Sequence, residues 1–273
     1  MFIRRWYRIG FLVLLANLGA MAAHAADVDP KLAAAIAGPQ RTEANRARDV
    51  YRHPGAELTF FGLRDDQNVV EIMPGIAGWW TEILAPYLRD RGKYIVALPG
   101  SGSEGARRAN EGYKAKLAAN PALYDRVILS SFNGDQQPIA PPNSVDLLLT
   151  FRNLHDWMHQ GTAEATLREF YRVLKPGGML GLDDHRANTD KPQDPQALDG
   201  YVRQDYAIQL AESVGFKFVG GSEVNANPRD TKDYPGGVWT LPPELRRKDE
   251  DRAKYLAIGE SDCFTLRFVK PQS

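Results

Sequence analysis

Two histidines flanked by carboxylates follow two apolar runs. His155 and Asp156 come just after "VDLLLTFRNL" (145–154), and Asp183, Asp184 and His185 close "MLGLDDH" (179–185). Imidazole titrates near neutrality, so a histidine placed beside a carboxylate can take a proton from a hydroxyl or an acid. His155, Asp184 and His185 are therefore the expected catalytic residues, on the side of a proton-bearing acceptor. The same groups would equally form a hydrogen-bonded polar network at strand ends. No metal is expected among them, because adjacent residues on a strand point to opposite faces. A second stretch, "VVEIMPGIAGWW" (69–80), runs from an apolar strand through a glycine-containing turn into a helix. Gly75 and Gly78 let the backbone come close to a ligand. The free N–H groups of a helix starting at Trp79 suit a carboxylate. That order of elements is how α/β proteins build a nucleotide cradle.

The elements that must hold these residues alternate from Asn68 onward. Short apolar runs "NVVEIM", "KYIVAL", "RVILSS", "VDLLLTF" and "MLGLDD" read as five strands, and "FKFVGGSEV" and "CFTLRFVK" as two more. Between them, apolar residues recur on one face: Trp79, Trp80, Ile83, Leu84, Tyr87 and Leu88, then Leu167, Phe170, Tyr171 and Leu174. Pro86 predicts a kink in the first of these helices, and Thr162 an N-cap for the second. The pattern predicts an α/β fold: an open, mostly parallel, Rossmann-like sheet with helices on both faces. A polar insert at about 225–262 carries no clear crossover helix, so the last strand is expected to be antiparallel. Ligands bind beyond the carboxyl ends of parallel strands, which brings Phe151, Arg152 and Asn153 into the expected cofactor lining. Residues 26–66 read as a helical N-terminal extension, with "ELTFFGL" (57–63) as a short extended piece. Residues 67–273 form the main domain. Within the insert, Tyr234, Trp239 and Tyr255 would make either an aromatic lid over a small acceptor or a set of packing anchors.

Composition narrows the function classes. Arg4, Arg5 and Arg8 precede the apolar "IGFLVLLANLGAM", and Ala23-His24-Ala25 fits a small-x-small cleavage site, so residues 1–25 read as a signal peptide. The apolar run is too short and too interrupted for a comfortable membrane span. Cleavage leaves 31 basic and 34 acidic residues, with no basic field to attract nucleic acid. The expected location is periplasmic or otherwise exported. Cys263, the single cysteine, excludes an intramolecular disulfide and reads as a packed thiol.

With these segments in order, the chain resembles the class I S-adenosylmethionine-dependent methyltransferases, and within them a group of exported predicted methyltransferases. "VVEIMPGIAGWW", "NGDQQPIAPPNSVDLLLTFRNLHDW", "EFYRVLKPGGMLGLDDHR" and "IGESDCFTLRFVKP" carry the resemblance, over about 68–224 and 263–270. It implies S-adenosylmethionine as cofactor. Glu71 would organise the site around its amino-acid end. Asp135, with Gln136 beside it, would face the adenine amino group. The sequence departs from the family at two places. Met73 and Ala77 stand where glycines are usual, with Gly78 available in place of the last one. The second strand ends in Leu98 and Pro99, where the family has an acid for the ribose hydroxyls; Glu104 would have to reach back from a loop. Neither side chain accepts a hydrogen bond, and losing that charge-assisted contact costs about 1.5–3 kcal/mol.

The expected function is methyl transfer to an unidentified small molecule. The alternative is a non-catalytic protein of the same fold, acting as a binding module of the cell envelope. The missing ribose acid and the expected export favour that alternative. A nicotinamide enzyme is disfavoured by "KPGG", by the closing strand and by the same missing acid.

Overall fold

The computed structural model describes residues 28–132 and 138–272. The expected signal peptide, Asp135 and Gln136 lie outside the described residues. Four short helices come first: α1 (Pro30–Ala37), α2 (Glu43–Arg46), α3 (Asp49–Arg52) and α4 (Pro54–Phe60). Then follow β1 (Asn68–Ile72), α5 (Thr81–Leu88), β2 (Lys93–Pro99), α6 (Glu104–Ala119), α7 (Pro121–Tyr124), β3 (Ile128–Phe132) and β4 (Val145–Phe151). The chain continues through α8 (Leu154–His159), α9 (Ala163–Val173), β5 (Leu174–His185), α10 (Gln204–Ser213) and β6 (Lys217–Ser222). It ends with a 3-10 turn (Gly237–Thr240), α11 (Arg252–Ile258) and β7 (Cys263–Val269).

The seven strands form one sheet in the order β3-β2-β1-β4-β5-β7-β6. Strands β1 to β5 run parallel, and β7 lies antiparallel between β5 and β6, as expected from the insert. Strand alternation divides the core. Val70, Ile72 and Leu148 face α8, α9 and α10; Val69, Leu147 and Leu149 face α1, α4, α5 and α6. The central strands β1 and β4 are apolar on both sides because both faces are covered, whereas the edge strands β3 and β6 are largely exposed.

Three local expectations are refined. Residues 57–63 are not extended: Pro54 takes the first turn of α4, where its missing N–H costs nothing, and Leu58 and Phe61 bury one face. Phe61 reaches the sheet because position 181 is glycine; a Cβ there would lie 2.7 Å from the Phe61 ring and 2.8 Å from Leu149. Helix α5 begins at Thr81, two residues later than expected, because Gly75 and Gly78 draw the preceding segment into turns. Pro86 lies inside that helix. Thr162 takes the N-cap position of α9 as expected, but its side chain makes no capping bond; its hydroxyl donates instead to the Trp157 carbonyl at 3.5 Å.

Candidate active site

The carboxyl ends of β1, β2, β4 and β5 share one edge of the sheet, where the parallel registers bring Ile72 beside Thr150 and Phe151 beside Asp183. His155 lies in the first turn of α8 just past β4, and Asp184 sits at the end of β5. The Asp184 carboxylate accepts the His155 backbone N–H at 3.0 Å and lies 2.8 Å from His155 Nδ1. Its Oδ1 also accepts the N–H of His185 at 2.7 Å. With Nδ1–H donating, the lone pair of His155 sits on Nε2. Burial pulls the His155 pKa down, but the charge and hydrogen bond of Asp184 outweigh it and leave the value above its ordinary 6.5. His185 behaves oppositely: burial, reinforced by His155, Arg152 and Arg52, holds it well below that value. Its Nδ1 lies 2.6 Å from Ser261 Oγ.

Both rings border a cavity of about 210 Å³, together with Arg52, Arg152, Asp156 and Trp239. The Trp239 ring stands edge-on to His155 at 6.0 Å and carries Arg246 against its face at 4.6 Å. Of the three insert aromatics, Trp239 therefore borders the cavity. Tyr234 and Tyr255 pack on each other at 5.8 Å as the insert's own small core.

His155, Asp184 and His185 come closer together than strand alternation implies, with one donor atom of each within 4.8 Å of the others. Alternation fails because the Asp184 carboxylate turns back onto the N–H of its own neighbour. That spacing is within reach of an ion. However, both Asp184 oxygens already accept N–H groups, and two guanidinium groups border the same cavity. The arrangement suits proton transfer better than cation binding.

Behind the cavity lies a group that the sequence does not reveal. Arg48 Nε donates to Glu260 at 2.6 Å and Arg52 Nε at 3.2 Å. Arg152 Nη1 donates to the same carboxylate. Three guanidinium groups outweigh the burial of Glu260 and hold its carboxyl far below the usual range. Burial and the neighbouring Arg152 lower Arg52 to about 10, so it remains a cation at neutral pH. Arg152 stands in the left-handed region at φ 60°, pinned by its N–H to the Asp183 carbonyl at 2.7 Å. That conformation is costly for a residue with a side chain and is held only by such surroundings. Asn225 donates to Glu57 at 2.8 Å and to Asp183 at 3.1 Å. Burial and the neighbouring Asp183 push Glu57 well above the usual carboxyl range.

The turn after β1 has the backbone of a ligand loop. Met73, Gly75 and Gly78 all have positive φ, at 51°, 68° and 53°. Met73 thus adopts the conformation that a glycine would take there without strain. A Cβ at Gly75 would meet nothing within 4 Å, so the loop is open where a ligand would approach. Glu71 does not face that opening. Its carboxylate accepts from Tyr94 Oη, which lies 3.0 Å from Thr81 Oγ1, itself 2.8 Å from Tyr113 Oη. Burial raises Glu71 to about 8. Asn153 donates to the Ile72 carbonyl at 3.2 Å and braces the end of β1. Phe151 stacks on Trp80 at 4.1 Å. Glu104 is exposed on the first turn of α6 and pairs with Arg108. The end of β2 is tied down by Asn110, which donates to the Pro99 carbonyl at 2.9 Å while its own Oδ1 is buried without a partner. Gly75 and Gly78 thus lie on the loop and Arg152 borders the cavity, while Glu71, Phe151 and Asn153 contact Tyr94, Trp80 and the Ile72 carbonyl around the end of β1.

Residues 78–182 match the family model described as a methyltransferase domain. The fold is similar to that of an S-adenosylmethionine-dependent methyltransferase from Aquifex aeolicus, with a TM-score of 0.55 and 18% identity over 82% of this chain and 93% of that one. It is also similar to the cyclase SpnF, with a TM-score of 0.55 and 16% identity over 89% of this chain and 92% of that one. A third similar structure is an arsenic(III) S-adenosylmethionine methyltransferase from Chlamydomonas reinhardtii, with a TM-score of 0.52 and 16% identity over 89% of this chain and 73% of that one. No curated protein sequence matches the chain. The fold is that of the class I methyltransferases. The cyclase among its neighbours illustrates that such a fold hosts more than one reaction.

Proposed function

We propose that this protein is an S-adenosylmethionine-dependent methyltransferase that acts on a small molecule, with His155 as general base and Asp184 as its positioning residue. The observation that carries the reading is the 2.8 Å His155–Asp184 pair bordering a cavity at the carboxyl edge of the sheet. S-adenosylmethionine supplies an electrophilic methyl group on a sulfonium, so the hard electronics belong to the cofactor. The chain must orient the acceptor, exclude water and remove a proton. The open backbone at Gly75 and Gly78 fits the amino-acid end of the cofactor. The resemblance assigns Asp135 and Gln136 to its adenine. His155 Nε2 takes the proton as the acceptor's nucleophile attacks, and Asp184 stabilises the imidazolium that forms. Trp239 covers the cavity and limits water.

The export reading of residues 1–25 is part of the proposal. It is checked by sequencing the N-terminus of the protein recovered from a cell-envelope fraction; an intact N-terminus in the cytosol rejects it.

The decisive experiment is thermal unfolding of the purified chain with and without S-adenosylhomocysteine. A ligand at a hundred times its dissociation constant stabilises by about 2.7 kcal/mol. No rise in Tm at millimolar concentration rejects the cofactor. A rise without methyl transfer to any acceptor supports the binding-module alternative instead.

A further inference from the structure

The cavity contains donors that the protein does not use. Arg52 commits only Nε to Glu260, and neither of its terminal nitrogens has a protein partner among the described residues. Arg152 commits Nη1 to Glu260 and points Nε at Asp183 at 3.5 Å, which leaves Nη2 without one. None of these nitrogens is among the buried side-chain atoms that lack a partner, and both residues line the cavity. Arg48 Nη2, by contrast, is sealed in and unpaired. The nearby acids do not use the free donors. Glu260 already takes three guanidinium groups, Glu57 accepts from Asn225, and Asp184 is turned away onto three N–H groups. Asp156 and Glu244 stand at the rim, where Asp156 lies 3.6 Å from His155 Nε2. The free Nη1/Nη2 fork of Arg52 and the single free Nη2 of Arg152, both on residues that line one small space, match the two oxygens of a carboxylate.

We propose that Arg52 and Arg152 bind a carboxylate of the methyl acceptor, so that the substrate is a small hydroxy acid with its hydroxyl held against His155. This rests on the methyltransferase reading given above. A cavity of about 210 Å³ is smaller than the ~300–1,000 Å³ of drug-sized pockets, which sets the size class. The apolar ring of Trp239 forms a wall for the carbon skeleton. Because a carboxylate needs no base, the His155–Asp184 pair points to the hydroxyl as the methylated group. The hydroxyl oxygen bonds to the methyl carbon as the carbon–sulfur bond breaks. That electron pair returns to sulfur, giving a thioether, and the hydroxyl proton passes to His155 Nε2. The carboxylate stays ionised throughout and acts only as a handle.

The test is titration of the purified full chain with 4-hydroxybenzoate, 3-hydroxybenzoate and lactate, and with the amide of each, at fixed ionic strength. Binding is read by calorimetry, with S-adenosylhomocysteine titrated separately. At least one acid should bind tenfold or more tightly than its amide. Arg52→Gln should abolish that preference while changing S-adenosylhomocysteine affinity less than twofold. Arg52→Lys keeps the charge without the fork; it should show an intermediate preference, and it carries the test if Arg52→Gln does not fold. Equal binding of acids and amides, or no binding of either, overturns the proposal. So does an arginine variant that loses S-adenosylhomocysteine but keeps the acid preference, because the arginine then holds the cofactor's own carboxylate. An Arg52-dependent acid preference in a chain that never binds S-adenosylhomocysteine rejects the methyl-donor reading and leaves the carboxylate site standing.

Discussion

At the scale of the residue, the chemistry depends on how one carboxylate is aimed. Asp184 fixes the ring of His155 at 2.8 Å and raises its pKa. His155 is a base only when neutral, so kcat should rise with pH through a midpoint above 6.5. His155→Gln should lower kcat by about 10²–10⁴, the usual contribution of a positioned base. Asp184→Asn should also lower kcat, and should move the rising limb toward lower pH, because the charge that raised the histidine is gone. An unchanged pH profile in Asp184→Asn would remove the positioning role. Glu71 offers a second titration. Its carboxyl holds a proton up to about pH 8 in the folded chain, whereas the unfolded chain releases it near the ordinary value of about 4.3. The folded state therefore binds more protons in that interval, and its stability falls as pH rises from about 4.3 to 8. Glu71→Gln keeps an acceptor for Tyr94 and removes the ionisation. Its Tm relative to the parent should be higher at pH 9 than at pH 5; equal differences at both values would show that Glu71 is not buried as a neutral acid.

At the scale of the element, β4 and β5 end at residues of the site, and the helices hold those ends still. Strand β5 illustrates this. Gly181 sits opposite Leu149 in β4 and directly beneath Phe61, so α4 can lie close against the sheet. Gly181→Ala would drive a methyl group into the Phe61 ring and Leu149. Overpacking of this kind costs about 1–3 kcal/mol, and the midpoint of urea unfolding should fall accordingly. No change in that midpoint would mean that α4 does not rest on β5. The strands were legible in the sequence as short apolar runs alternating with helices, but their order in the sheet was not. Helix α4 was not legible: "ELTFFGL" is rich in strand-forming residues, and only burial of Leu58 and Phe61 against the sheet overrides that preference.

At the scale of the whole molecule, Glu260 joins parts of the chain that are far apart in sequence. Arg48 and Arg52 come from the N-terminal helices, Arg152 follows β4, and Glu260 precedes β7. A buried carboxylate with three guanidinium partners is not a strong source of stability in itself, but removing it strands charges away from water. Glu260→Gln should destabilise by about 3–5 kcal/mol, seen as a large fall in Tm. A fall of less than about 1 kcal/mol would show that water already reaches the arginines. The same tie explains how a residue outside the sheet, Arg52, comes to border the cavity.

By itself, the sequence determined the sheet, the antiparallel last strand, the glycine turn after the first strand and the histidine–carboxylate pairs at strand ends. These features are written locally, in apolar period, in residues that permit positive φ, and in polar residues that interrupt apolar runs. Only the tertiary structure decided which acid serves which histidine. It turned Glu71 toward Tyr94 rather than toward the loop opening, left Glu104 on an exposed helix turn, and brought Arg48, Arg52 and Arg152 around Glu260. Those outcomes depend on contacts between residues as many as 212 positions apart. The electrostatic cost of burying a charge is settled by its neighbours in space, and no spacing along the chain encodes them.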